Sequence, residues 1–156
     1  MKKIVVLVLL IALIGTASAF ATGVGVSAGL PIGNLPGSDV MLSLKVDQIP
    51  FLMGFGFAIG NEQVAFGFTG DWWVQNEKLF SIESLVFNYY LGPGFYLGYQ
   101  NNLVLGGRFP VGLNIYPIPN LEFFLELAPT LAVQLGDPIV FPVFGMQSAF
   151  GFRFWF

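Results

Sequence analysis

The sequence predicts an all-β protein, an eight-stranded antiparallel up-and-down transmembrane β-barrel. Three observations lead there. The 156 residues are 55% hydrophobic and only 10% charged, whereas a soluble domain carries about 25% charged residues to satisfy water. Apolar residues recur at every second position, the period of a strand. The charges that fall inside those strands share a face with glycine and other small residues, opposite rows of Phe, Leu and Val.

The first residues read as a targeting segment. Lys2 and Lys3 precede an apolar run from Ile4 to Ile14, and Ala17-Ser18-Ala19 follows as a small-residue cleavage site. That is the pattern of a secretory signal peptide, and the run is short of the ~20 residues of a membrane-spanning helix. The expected division is a cleaved leader over 1–19 and a barrel over 20–156. Removing Lys2 and Lys3 takes the formal net charge from −3 to −5. No Cys is present, so a lipid-modified cysteine anchor is excluded.

Eight strands follow in order. Val24, Val26, Ala28 and Leu30 alternate with glycines and Ser27. Val40, Leu42, Leu44 and Val46 alternate with Met41, Ser43 and Lys45. Phe51 to Gly60 and Val64 to Gln75 continue the pattern, the latter placing Asp71 and Trp73 on the small-residue face. Phe87 to Gln100 and Leu105 to Tyr116 make the fifth and sixth, with Arg108 facing as Gly106 does. Leu121 to Ala128 sets Glu122, Phe124 and Glu126 on one side, and Ala149 to Phe156 sets Arg153 against four phenylalanines. Turn residues collect at Pro31 to Ser38, Asp47 to Pro50, Gly60 to Gln63, Gln75 to Ser84, Gln100 to Asn102, Pro117 to Asn120 and Gln134 to Pro138. Pro93, Pro110 and Pro129 fall within strands, where each removes a ladder hydrogen bond, so bulges or strand ends are expected there. A turn at Gly92-Pro93 would make nine strands; an even count returns both termini to one side, as single-chain bacterial barrels require.

The facing decides the solvent. A Lys or Arg turned to lipid at the bilayer midplane costs ~2–4 kcal/mol, so the charged, glycine-rich face belongs inside. Lys45, Asp71, Arg108, Glu122, Glu126 and Arg153 are then lumen residues, three cations with three anions. A last hairpin turning near Gly136-Asp137 sets Glu122 roughly opposite Arg153, with Arg108 on the other neighbouring strand, and a structural ion network is the expected reading, because buried charges need partners. Glu122 and Glu126, four apart on one strand, lie about 13 Å apart at ~3.3 Å per residue, too wide for paired-carboxylate glycoside hydrolysis at ~6.5–9.5 Å.

Chemistry is narrowed by what is missing. With no Cys and no His, thiol nucleophiles, Cys/His zinc sites and serine–histidine triads are excluded. Six basic residues against nine acidic ones argue against nucleic acid as a partner. The glycine pairs around Gly23 and Pro93 lack the helix that a phosphate loop needs. No catalytic residue, cofactor or metal site is expected.

The chain ends Phe150-Gly151-Phe152-Arg153-Phe154-Trp155-Phe156, with alternating aromatics and a terminal Phe. It resembles the C-terminal signature by which bacterial outer-membrane barrels are recognised for insertion. With the stretches Tyr89 to Tyr99, Gly106 to Tyr116 and Leu121 to Leu131, it is similar to a family of small OmpA-like barrels of spirochaetes and other Gram-negative bacteria. The resemblance is firmest over Tyr89 to Phe156. It implies an outer-membrane location, lipid as surrounding partner, and Phe152, Phe154 and Phe156 as an assembly signal read by the barrel-assembly machinery. It implies no activity. Four functions follow as alternatives: a filled structural or interaction barrel, a narrow channel for water or small solutes, a surface adhesin holding an extracellular protein by its outward loops (Pro31 to Ser38, Gly60 to Gln63, Gln100 to Asn102 and Val133 to Pro142), and an enzyme, which the missing His disfavours. Eight strands usually enclose a filled interior, so the first is the expectation.

Overall fold

Small residues on one face and apolar residues on the other let successive segments pair with the narrow face turned to a common interior. The computed structural model describes residues 22–33, 35–46, 49–59, 64–83 and 85–156. The leader expected over 1–19 and the turn from Gly60 to Gln63 lie outside the described residues. Eleven strands are present among those described: β1 (Gly23–Gly33), β2 (Val40–Lys45), β3 (Leu52–Ile59), β4 (Val64–Asp71), β5 (Gln75–Ile82), β6 (Leu85–Leu91), β7 (Gly94–Tyr99), β8 (Leu103–Arg108), β9 (Val111–Ile118), β10 (Leu121–Leu135) and β11 (Val140–Trp155). All pairings are antiparallel, and eight strands close a barrel in the order β11-β1-β2-β3-β4-β7-β8-β10, with β10 returning to β11.

The remaining three strands continue the wall below it. The lower half of β10 pairs with β9, β9 with β6, and β6 with β5. Thus β4 and β5, β6 and β7, and β8 and β9 are halves of three long strands, each interrupted once. Two interruptions fall at Gly92-Pro93 and Phe109-Pro110, where the sequence raised the proline problem. Pro93 makes no turn; the chain resumes in the same direction and the even count stands. Pro129 differs from the expectation of a strand break, since it stays within β10 opposite Met146. There β10 changes partner from β9 to β8. The three proline carbonyls instead accept bonds from neighbouring strands: Trp72 N–H donates to Pro93, Gly92 to Pro110 and Phe109 to Pro129, at 2.9, 3.3 and 3.0 Å. A seam of prolines therefore crosses the wall while hydrogen bonds continue across it.

Register fixes the dimensions. Gly33 faces Gly145, and the line runs on through Thr130, Arg108, Gly94, Asp71 and Leu52. Leu52 lies one residue beyond the Met53–Leu44 pair, level with Lys45, which faces Gly23. One circuit thus returns to β1 ten residues below its start, from Gly33 to Gly23. For eight strands, that stagger gives a tilt of roughly 40° and a radius of about 8 Å. Large inner side chains fit only opposite glycine: Tyr90 lies across from Gly112, and Arg153 across from Gly25, and a Cβ at either glycine would collide with its partner's side chain.

Three segments depart from the sequence reading. The turn expected over Gln75 to Ser84 contains β5, the outer strand of a hairpin with β6 that projects beyond the barrel. Every residue of β5 is exposed, so no burial alternation marks it in the sequence. Strands β10 and β11 are nearly twice as long as read, and Val133 to Leu135 and Val140 to Pro142 are strand, not an outward loop. At ~3.3 Å per residue, β11 rises roughly 40 Å along the axis and β2 roughly 15 Å. Finally, the segment after β1 turns inward. Leu35, Gly37 and Ser38 are buried, and Leu35 packs with Tyr96, Val104, Ala132 and Val143 inside the wall. The Tyr96 hydroxyl donates to the Pro36 carbonyl. Of the outward loop expected at Pro31 to Ser38, residues 31–33 belong to β1 and residues 35–38 form a plug, made possible by the small inner faces of Gly56 and Gly67 against Gly37.

Gly37 has φ +75°, and a Cβ there would strike the backbone of Phe66 and Gly67. Gly37→Val is expected to destabilise the barrel by about 1–3 kcal/mol, read as a lower thermal midpoint of the compact, heat-modifiable gel band. An unchanged midpoint would mean that the plug does not pack there.

Candidate functional site: the barrel lumen

Inner-face positions of seven strands converge on the axis, and the charges foreseen in the sequence meet there in two linked clusters. The upper one centres on Arg108, at the end of β8. Its Nε lies 3.2 Å from Asp71 Oδ1 of β4, an ion pair without hydrogen-bond alignment. One terminal nitrogen donates to Glu126 of β10. The other donates to Gln147 Oε1 of β11 at 2.8 Å, and Gln147 passes a 2.6 Å bond to Ser38 Oγ in the plug. The ion network thereby holds the loop that closes the upper end.

The lower cluster centres on Arg153 of β11. It donates to Glu122 Oε1 across the β10–β11 ladder at 3.1 Å and to Ser43 Oγ of β2 at 3.2 Å. Glu122 also accepts from Asn114 Nδ2 at 2.7 Å and Trp155 Nε1 at 2.8 Å. The guanidinium carbon lies 3.6 Å from the centroid of Phe124 and 5.2 Å from that of Trp73. Desolvated contacts of this kind contribute ~2 kcal/mol or more. Trp73 stacks on Tyr90 at 4.5 Å, and the Tyr90 hydroxyl donates to Glu126 Oε2 at 2.8 Å. Tyr90 is therefore the link between the clusters.

Five of the six candidate lumen residues come together. Lys45 does not: its Nζ donates to the carbonyls of Val46 and Ile49, at 2.9 and 2.6 Å, and closes the turn between β2 and β3. At the terminal position of a short strand it reaches a turn before it reaches a carboxylate. Phe152, Phe154 and Phe156 lie exposed on the outer side, and the Phe156 amide bonds to Thr22. Asn114, Gln147, Ser38 and Ser43 belong to the site but were not singled out in the sequence. Asn114 and Ser43 occupy inner positions by alternation, a usable signal. Gln147 lay in a stretch not read as strand, and Ser38 in a segment read as outward.

This arrangement has little room for a reaction. Glu122 and Glu126 are buried, and each is held by its own arginine. The space beside Arg108, Glu126 and Arg153 has a volume of about 20 Å³, the room of roughly one water molecule. Comparison with protein-family models, curated proteins and solved structures finds no match.

Arg153→Met would leave Glu122 buried without its cation, and a loss of about 3–5 kcal/mol is expected. Adding Glu122→Met should regain most of it, since apolar replacement of a complete buried pair is often neutral. Urea unfolding of the three proteins checks this; a double variant no better than the single would show that the pair is not the unit.

Proposed function

We propose that this chain is an integral outer-membrane barrel, exported by its leader and surrounded by lipid, whose closed lumen serves a structural or interaction role in the cell envelope without catalysis. One observation carries the reading: the wall is apolar outside and ionic inside. Among the described residues, no Asp, Glu, Lys or Arg lies on the outer face of the eight closing strands. That face instead exposes Leu30 of β1, Phe57 of β3, Phe66 of β4, Leu97 of β7, Leu127 of β10 and Phe152 of β11, among others. Soluble monomers rarely expose contiguous apolar patches larger than a few hundred Å², whereas an outward apolar band about 25 Å tall is what a transmembrane barrel presents.

Closure supports the structural role over conduction. The plug, the Arg108 cluster and the Arg153 cluster with its aromatic stack occupy three successive levels of the lumen. The phenylalanines at the C-terminus fit an assembly signal for the machinery that inserts such barrels, and the low content of basic residues is consistent with a protein that does not engage nucleic acid.

Liposomes carrying the refolded protein should pass no more glycerol or chloride than empty ones; flux that scales with protein would contradict a closed lumen. Leu127→Arg, on the outer face at mid-height of the wall, should cost about 2–4 kcal/mol in a bilayer. A neutral effect on unfolding from vesicles would place that face outside lipid.

A further inference from the structure

We infer that the outer mouth of the barrel is a binding site for a neutral, hydroxyl-rich ligand of monosaccharide to disaccharide size. Above the plug lies a cup of about 390 Å³, within the range of small-molecule sites, which occur in the mouths of β-barrels. Its floor is the plug itself, with Leu35 and Pro36, and Ala58 and Ala65 face it from β3 and β4. Asn102, from the turn between β7 and β8, and Gln134, on β10, supply side-chain amides at the wall. The site therefore offers an apolar base under polar sides.

The chemistry of the lining selects the ligand class. A side-chain amide is both donor and acceptor, so Asn102 and Gln134 suit hydroxyl groups, which are also both. Asp39 adds a carboxylate at the plug. All four basic residues among those described lie elsewhere: Lys45 at the opposite turn, Lys78 on the projecting hairpin, Arg108 and Arg153 beneath the plug. No cation is therefore in place to receive a phosphate or carboxylate, and Asp39 repels one. The floor is fixed from below, since Gln147 holds Ser38 and Tyr96 holds Pro36. A preformed floor spares a ligand the cost of ordering it. The cup stands on the inner geometry alone, so it does not depend on what surrounds the outer wall.

The test is saturation-transfer NMR on the full chain refolded in dodecylphosphocholine, a detergent without a sugar headgroup. Glucose, maltose and N-acetylglucosamine are the probes, with galacturonate as the anionic control. Transfer to at least one neutral sugar and none to galacturonate is expected. The double substitution Asn102→Ala/Gln134→Ala should weaken the titrated affinity about tenfold through two lost hydrogen bonds. Ala58→Trp, which fills the cup, should abolish transfer; heat-modifiable gel migration verifies that both variants are folded. No transfer from any neutral sugar, equal transfer to galacturonate, an undiminished affinity in the folded double variant, or transfer that survives in folded Ala58→Trp would overturn the assignment.

Discussion

Two buried arginines set the terms for everything else in this molecule. A guanidinium taken out of water costs several kcal/mol unless carboxylates and hydrogen bonds replace its hydration, and Arg108 and Arg153 draw theirs from β2, β4, β10 and β11. Arg108 joins β8 to β4, β10 and β11, and Arg153 joins β11 to β10 and β2. The contacts run across the lumen as well as along the ladders, so they hold the barrel from within. They also explain the glycines opposite Tyr90 and Arg153, since an inner radius of about 8 Å leaves space for one large residue at a level only where its neighbour has none.

The plug extends the same logic to the upper end. Leu35 to Ser38 would be an ordinary surface connection in a taller barrel, but β2 is short and the wall above Val40 stops. The chain instead enters the lumen, buries Leu35 among wall residues and passes its serine to Gln147. Because Gln147 also serves Arg108, the plug and the ionic core form one continuous polar network. Breaking the bonds that such a network does make leaves further buried polar groups unpaired, at a cost, which favours a closed cylinder over one that opens.

The barrel and its facing were legible because alternation is a local signal, and charges on a glycine-rich face have only one reasonable direction. Glu122 opposite Arg153 followed from one hairpin register. What could not be read had non-local causes. β5 carries Asn76, Glu77 and Lys78 and has neither face buried, so its strand character comes only from pairing with β6. The upper half of β11 contains Pro142 and Gly145, turn-like residues: β10 and β1 flank Gly145, while Pro142 lies beyond the last β1 pair, beside the register shift of β10 between Ala132 and Gln134. The inward path of the plug depends on the shortness of β2, and Lys45 missed the network for the same reason. Pro93, Pro110 and Pro129 announced disturbance but not its form, a seam in which their carbonyls serve adjacent strands.

The central claim is that the apolar face of the wall meets lipid and the ionic face does not. The chain has no native cysteine, so single cysteines placed at 143, 149, 150, 152 and 154 can carry spin labels without background. In vesicles, labels at 150, 152 and 154 should be relaxed strongly by oxygen and weakly by a water-soluble nickel chelate. Labels at the inner positions 143 and 149 should be shielded from both. If the chelate reaches 150, 152 and 154 while oxygen shows no preference, the outer wall faces water and the account fails.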